Sequence, residues 1–320
     1  MIRLHKHLMS VLFGCLLLTP GLVSAEPVDA EQSLRSALDH MITRANPVGG
    51  WANGWSVGGE VTFGEHLDVP ATWITVQPPA TPKMGEVFLR AARVLDEPRY
   101  FEAASRARDA LLKLQTAEGG FPHQDDPSAP RGRAGTFDDD VTTGAMDFLI
   151  AYWQHTGDAK DREAVERVGD FLLAAQYPNG GYPQAYPPRT DHYQRYITFN
   201  DGVMVRVVRA LLKLHGLLGD ERYYDAALRA GECILKLQGG EGEAIWAQQY
   251  DEKTLEPAWA RKFEPPGYTP NESRGVCDLL IELYALTEDA RYLNAVDRAL
   301  GWYKTHREDD GFYARLNEPG

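Results

Sequence analysis

The stretch "RYFEAASRARDALLKLQTAEGGFPHQ", Arg99 to Gln124, decides the fold, because the chain repeats its pattern. The later copies are "REAVERVGDFLLAAQYPNGGYPQAYP" from Arg162, "RYYDAALRAGECILKLQ" from Arg222 and, more faintly, "RYLNAVDRALGWYKTHREDDGFYARL" from Arg291. A glutamine closes the predicted helix of the first three copies at Gln115, Gln176 and Gln238, so the repeating unit is about sixty residues long.

Each unit predicts two helices. In the first helix, apolar residues recur at helical spacing on one side, as at Ala107, Leu111 and Leu114, and a Gly-Gly turn ends the helix. The second helix, such as 203–214, is apolar over most of its circumference and should be buried. Alternating half-exposed and buried helices predict an all-α (α/α) toroid, which we expect to form a single domain over residues 26–320.

In such a ring, the loops that enter the inner helices open at the same end. Alignment of the repeats places "TFDDDVTT" (136–143) over "TFNDGVMV" (198–205), and therefore Asp139 over Asp201. We expect these two carboxylates to share one face of the molecule, with Asp138 and Asp140 beside them.

Two interpretations of these aspartates stay open. Asp is a preferred residue immediately before a helix, where it caps the backbone. Three consecutive aspartates exceed the need of a cap, however, and their repulsion favours a compensating cation. Oxygen ligands indicate calcium or magnesium, and we assign Asp139 and Asp201 as metal ligands. His123 and His192 show no ligand spacing and are interpreted as ordinary loop histidines.

The third unit delivers positive charge to the equivalent loop, 257–273. Arg261, Lys262 and Glu264 lie in its "ARKFEP" segment. The simple interpretation is a surface ion pair between Arg261 and Glu264, which contributes little energy. A planar guanidinium beside an acidic pair is also well suited to bind carboxylates, so Arg261 and Lys262 are candidate site residues.

Aromatic residues follow the Gly-Gly turn in "GGYPQAYP". Such residues usually pack between repeats, and we expect this of one of Tyr182 and Tyr186. The other is expected to stack on a sugar ring, and Tyr182 is the candidate for substrate binding.

Composition and charge limit the partners. A net charge of −13 argues against nucleic acid, whose binding needs clustered Lys and Arg. An anionic ligand would need locally positive charge or a bridging cation. Cys233 and Cys277 could form a disulfide or remain two buried thiols.

The N-terminus has the pattern of a secretory signal peptide over residues 1–25. Basic residues precede the apolar run 8–18, and "LVSA" ends at Ala25. No later segment is long and apolar enough to span a bilayer, so we expect no membrane partner. The mature protein is predicted to be secreted or periplasmic and monomeric.

Four of these motifs together resemble the pectate lyases of polysaccharide lyase family 10. They are "FDDDVTTGAMDFLIAYW", "QYPNGGYPQAYP", "RYITFNDGVMVRVVRALL" and "WAQQYDEKTLEPAWARKFEPP". The resemblance covers about residues 119–315. It implies an (α/α) toroid that cleaves polygalacturonate by calcium-assisted β-elimination with an arginine as the base.

The resemblance also implies roles for individual residues. Asp139, Asp140 and Asp201 would act near the calcium and the substrate carboxylate. Arg261 matches the catalytic base in the "AWARKFE" motif, with Arg274 as a less well matched substitute. Arg315 of "FYARLNE" matches a further arginine of the family, and with Asp140, Lys262 and Arg274 it is a candidate for substrate binding.

Two departures from the family pattern affect these assignments. A neutral residue is usual inside the first acidic motif, so "DDD" leaves the assignment uncertain by one position. The chain also ends at Gly320, before a "TNRP"-like segment that carries further arginines. Either the chain is a truncated product, or its binding of uronate carboxylates is reduced. An inverting glycoside hydrolase that uses Asp139 and Asp201, or a non-catalytic uronate-binding protein, are the alternatives.

Overall fold

The computed structural model describes residues 29–59, 61–64, 69–240 and 242–317. The predicted signal peptide lies outside the described residues. The chain divides into two compact units, residues 1–41 and 42–320, which are described separately. Helix α1 (Ala30–Thr43) begins behind Asp29, whose Oδ1 accepts a hydrogen bond from the N–H of Glu31 at 3.0 Å. The single domain over residues 26–320 stays a prediction.

The described part of the second unit contains eight α-helices in four consecutive pairs. They are α2 (Thr81–Leu95), α3 (Pro98–Leu114), α4 (Val141–Thr156), α5 (Ala159–Ala175), α6 (Val203–Leu218), α7 (Glu221–Leu237), α8 (Pro270–Thr287) and α9 (Ala290–Thr305). Each even-numbered helix packs against the helix that follows it, and α2, α4, α6 and α8 also contact one another in chain order. These contacts place the even-numbered helices inside and the others outside, which confirms the predicted (α/α) toroid.

Burial follows the sequence pattern that predicted the two layers. The first six residues of α4, 141–146, are all buried, so this helix has no solvent face at its N-terminal end. Helix α7 instead buries one stripe that includes Tyr223, Ala226 and Ala230, and exposes the remainder. An outer helix can expose one face to water, whereas the first turns of α4 are enclosed by their neighbours.

The glutamine that ends each outer helix joins that unit to the next. Nε2 of Gln115 donates to the carbonyl oxygens of Gly119 and Ala164, both at 2.9 Å, and its Oε1 accepts from Nε of Arg167 at 2.9 Å. The same contacts recur at Gln176 with Gly180, Ala226 and Arg229, and at Gln238 with Ala244, Ala295 and Arg298. This bridge gives the physical reason for the repeated glutamine.

Short antiparallel strand pairs connect successive units at the end where the inner helices begin. The strands are β1 (Gly54–Trp55), β2 (Thr62–Phe63), β3 (Ile74–Thr75), β4 (Gln124–Asp125), β5 (Gly135–Thr136), β6 (Ala185–Tyr186), β7 (Ile197–Thr198) and β8 (Gln249–Tyr250). β1 pairs with β2, β3 with β4, β5 with β6 and β7 with β8. From the second pair onward, the strand before an inner helix is bonded to the segment that follows the next outer helix.

The two cysteines and the lengths of the helices bear on two further expectations from the sequence. Cys233 and Cys277 are buried free thiols, and burial raises the pKa of Cys233 to about 12 and that of Cys277 to about 11. Among the described residues, no helix has the length and apolar character needed to cross a membrane.

Candidate functional site

Two equivalent turns, residues 138–140 and 200–202, lead into the inner helices α4 and α6. The phenylalanine before each turn donates its N–H to the following unit, Phe137 to the carbonyl of Gln184 at 2.9 Å and Phe199 to that of Gln248 at 2.8 Å. Asp139 (φ 48°, ψ 31°) and Asp201 (φ 52°, ψ 19°) share the left-handed conformation, which is uncommon outside glycine. The two turns contact each other, so the repeat brings Asp139 and Asp201 to one region.

Helix capping does not account for these aspartates. The aspartates of both turns make no side-chain hydrogen bond that caps α4 or α6. Capping aspartates do occur before the outer helices, where Asp158, Asp220 and Asp289 each accept the N–H two residues ahead at 2.9 Å. The carboxylates of the two turns therefore have a role other than capping.

Asp138 lies at the centre of the acidic cluster. Ligand atoms of His123, Asp138 and Asp139 all lie within 4.8 Å of one another, and His123 Nε2 is 3.9 Å from Asp138 Oδ2. Burial, with repulsion from Asp139 and Asp201, raises the pKa of Asp138 to about 7, although a hydrogen bond from Gln184 acts in the opposite direction. Asp138 of the "DDD" motif therefore interacts with Asp201, and Asp139 lies in the same cluster.

Several oxygen atoms around this cluster are buried without a hydrogen-bond partner among the described residues. They are Oδ1 of Asp138 and Oε1 of Gln184 and Gln248. Gln248 donates a hydrogen bond to Asn200 Oδ1 at 3.0 Å, and Asn200 donates one to Asp201 Oδ2 at 2.5 Å. These two hydrogen bonds connect Gln248 to the second turn, 200–202. A buried acceptor without a partner costs free energy. Carboxylate and amide oxygens in this number fit Ca²⁺, while the nitrogen of His123 is the softer donor beside them.

His123 lies beside the aspartates, a position that its spacing in the sequence did not indicate. Its carbonyl accepts the N–H of Val76 at 2.7 Å, as the carbonyl of Gln184 accepts that of Phe137 one unit later. His123 therefore occupies the repeat position of Gln184, next to the turn that carries the aspartates. Alignment of these short segments across the units was the signal that could have identified it.

Asp140 has its own hydrogen bond and ion pair. Its Oδ1 accepts a hydrogen bond from Thr143 Oγ1 at 2.6 Å and lies 3.5 Å from Nη1 of Arg206 on α6. Arg206 has no motif in the sequence that would have indicated this contact. Because this charge is already compensated, Asp140 does not add to the unpaired acidity around Asp138.

Arg261 is held by a buried carboxylate. Its Nε donates to Glu264 Oε2 at 2.7 Å, its backbone N–H donates to the same oxygen at 3.2 Å, and its Nη2 contacts Oε1. Glu264 is 1% exposed, so this pair differs from the ordinary surface ion pair that was considered. Hydrogen bonding to Glu264 raises the pKa of Arg261, and the charges of Tyr193 and Asp138 add to the effect. Arg261 is therefore close enough to the acidic cluster to interact with it.

The other candidate cations are Lys262, Arg315 and Arg274, and they differ in their placement relative to Arg261 and Glu264. Lys262 is exposed beside Arg261. Burial raises the pKa of Glu264, but the hydrogen bonds and charge of Arg261 and, more weakly, the charge of Arg315 lower it overall. Arg315 therefore lies on the same side of the molecule as Glu264. Arg274 is exposed on α8 near Tyr303 of α9, and the structure does not bring it to Arg261.

The prediction that Tyr182 binds a sugar ring is wrong. Its side chain is 0% exposed and packs edge-on against Phe137, with ring centroids 5.8 Å apart. Burial raises the pKa of its hydroxyl. Tyr186 is partly exposed and packs edge-on against Phe171. Both rings pack against phenylalanines that precede them in the chain, Tyr182 against Phe137 and Tyr186 against Phe171.

Comparisons with known proteins agree with this geometry. The sequence matches the profile of the family described as pectic acid lyase over residues 123–320. A point mutant of the family 10 polysaccharide lyase from Cellvibrio cellulosa, solved in complex with trigalacturonic acid, has a similar structure: TM-score 0.57, 24% identity, 71% of this chain and 73% of that chain covered.

Enzymes of other kinds share the fold. A D-mannose isomerase matches with a TM-score of 0.55 and 16% identity, over 92% of this chain and 76% of that chain. A β-1,3-1,4-glucanase from Paenibacillus sp. X4 matches with a TM-score of 0.54 and 10% identity, over 91% and 77%. Comparison with curated proteins gives no match.

Proposed function

The chain belongs to the pectic acid lyase family and is a pectate lyase, and from this premise we propose that it cleaves polygalacturonate by calcium-assisted β-elimination. The observation that carries the proposal is the meeting of Asp138, Asp139 and Asp201 on two adjacent turns, with Arg261 near Asp138. The fold neighbour solved with trigalacturonic acid supports this choice of substrate. The signal-like residues 1–25 support action outside the cytoplasm.

We assign the calcium site to Asp138, Asp139 and Asp201. The oxygen-rich surroundings and the unpartnered Oδ1 of Asp138 support this assignment. When bound, calcium would neutralise the substrate carboxylate and make the adjacent C5 proton more acidic. Lys262 and Arg315, exposed on the side of Arg261, would bind carboxylates of the polymer.

Arg261 is the proposed base. The C5–H bond breaks as its proton passes to the neutral guanidine, the electron pair forms the C4–C5 double bond, and the C4–O bond breaks with its electrons on the leaving sugar oxygen. The bidentate pair with Glu264 opposes this role, because it stabilises the charged guanidinium and raises the pKa of Arg261. A nearby cation and alkaline solution are therefore required, and we expect a basic optimum.

An ultraviolet assay on polygalacturonate tests the proposal. Elimination leaves an absorbing 4,5-unsaturated end, so the wild-type protein with calcium should produce absorbance that chelator abolishes. Arg261→Ala should lose it by at least about a hundredfold, the scale for removal of a group essential to proton transfer, while Arg93→Ala, an exposed arginine in the last turn of α2, should retain it. New reducing ends without absorbance would instead indicate a hydrolase, and polymer binding without cleavage a non-catalytic protein.

A further inference from the structure

A second cluster of charge lies in the loop 126–134 between β4 and β5, which the proposed chemistry does not use. Two guanidinium groups of this loop lie against the indole of Trp73. The Cζ atom of Arg131 is 4.0 Å from the ring centroid, and that of Arg133 is 5.7 Å from it. At these distances a cation interacts favourably with the face of an indole ring.

Arg131 is fixed in place by a buried acid. Its Nε donates to Asp125 Oδ1 and its backbone N–H to Asp125 Oδ2, both at 2.9 Å, and Asp125 is 1% exposed. Asp126 fixes the start of the loop by accepting hydrogen bonds from the N–H of Ser128 at 2.8 Å and from its Oγ at 2.6 Å. The loop is therefore ordered by its own contacts before any ligand binds, which lowers the entropic cost of binding.

Arg133 provides the positive charge of this loop that is not paired with Asp125. Asp125 compensates Arg131, whereas Arg133 is exposed and forms no ion pair with any residue of the described ranges. A guanidinium can donate two parallel hydrogen bonds to a carboxylate. In a chain with a net charge of −13, an arginine that has no ion pair within the described residues and lies on an aromatic ring is well placed to attract an anionic polymer.

The cluster lies at the same end of the molecule as the acidic cluster. Asp125 follows His123 by two residues in an extended segment, which spans at most about 7 Å. At its C-terminal end the loop leads into β5, and Asp138 lies three residues after the first residue of that strand. One polymer chain bound at the acidic cluster can therefore reach Arg133 with a sugar unit further along the same chain.

We propose that Arg133, held on Trp73 and supported by Arg131, forms an additional subsite that binds the carboxylate of a galacturonate unit away from the bond that is cleaved. The proposal rests on the proposed function for the identity of the polymer. The subsite binds the charge of a distant unit and does not take part in proton transfer. It should therefore affect the binding of long chains and leave the chemical step unchanged.

Kinetics on oligogalacturonates of increasing length test this subsite. Arg133→Ala should raise KM for the polymer about three- to tenfold, the range expected for loss of one exposed charge-assisted hydrogen bond, with kcat unchanged. On the shortest oligomer that is cleaved, KM should equal that of wild type, because such a substrate does not reach Arg133. Arg93→Ala is the matched control. A KM for Arg133→Ala equal to that of Arg93→Ala, or raised equally at every length, would overturn the proposal.

A binding measurement separates this proposal from the proposed function. Migration through a gel that contains polygalacturonate reports binding without turnover. Arg133→Ala should be retarded less than wild type, and the difference should disappear with fully methyl-esterified pectin, which has no free carboxylates. Equal retardation of Arg133→Ala and Arg93→Ala by polygalacturonate would overturn the subsite, even if cleavage is observed. Weaker retardation would support it even if cleavage is absent.

Discussion

At the scale of single residues, three consecutive aspartates have three different surroundings. Asp138 is partly buried against Asp201, Asp139 adopts a left-handed conformation beside it, and Asp140 faces Arg206. The positive φ angles of Asp139 and Asp140 turn the chain sharply and separate the side chains. Burial and the neighbouring carboxylates therefore raise the pKa of Asp138.

The raised pKa of Asp138 predicts a dependence of stability on pH. The folded protein keeps a proton on Asp138 up to about pH 7, whereas the unfolded chain loses it near the ordinary value of 3.8. Stability from this group is therefore lost as pH rises from about 4 to 7. In chelator, Asp138→Asn should raise the Tm by several degrees at pH 8 and have little effect near pH 4. An equal change at both pH values would contradict the assigned pKa.

Glu264→Gln tests how the charge of Arg261 is controlled. The amide keeps the shape of the pair but removes the negative charge that raises the pKa of Arg261. If Arg261 is the base, the alkaline rise of kcat/KM should move to lower pH, by about one unit or more. A uniform loss of activity at all pH values, with the profile unmoved, would mean that Glu264 only positions Arg261. Circular dichroism and Tm would check that the variant folds.

At the scale of elements, the strand pairs and the glutamine bridges connect neighbouring units. Three strand pairs and three bridges repeat the same connections around the ring. The positions of the acidic turns depend on these connections. The phenylalanine before each turn donates a backbone hydrogen bond to the segment that follows the glutamine of the next outer helix. A change in one bridge should therefore affect stability more than one exposed contact would.

Gln176→Ala measures the strength of a bridge. The substitution removes donors from the carbonyls of Gly180 and Ala226 and the acceptor of Arg229. We expect a loss of about 2–4 kcal/mol in the free energy of unfolding, since each buried group left without a partner costs about 1–3 kcal/mol. Denaturant unfolding would measure it, with Gln154→Ala on the exposed surface of α4 as the control. A loss no larger than that of the control would show that the bridge is not needed.

At the scale of the whole molecule, the proposed calcium site joins two units that lie about sixty residues apart in sequence. Binding at such a site stabilises the folded chain, because the unfolded chain cannot bring Asp138 and Asp201 together. Calcium at about one hundred times its Kd should raise the Tm by about 5 to 10 °C. Asp138→Asn should lose this shift and Asp140→Asn should keep it. An equal shift in both variants would place the cation elsewhere.

Much of the architecture was predictable because local patterns determine it. Helical spacing, the Gly-Gly turns and the repeated glutamine fix the helix pairs, and chain order fixes which loops open together. The pairing of Arg261 with Glu264 was also predictable, because residues three apart in one loop can meet without help from the remaining chain. The family followed from longer motifs, and the family match over residues 123–320 confirms it.

The remaining features depended on tertiary contacts. The sequence alone determined that acidic loops and a cationic loop gather at one end of a helical ring. Only the tertiary structure decided that Asp138 is buried beside Asp201, that His123 joins the cluster and that Tyr182 is buried. The physical reason is that the direction of a side chain in a turn depends on the sign of φ and on the neighbouring unit. Both of these are set by contacts between residues far apart in the sequence.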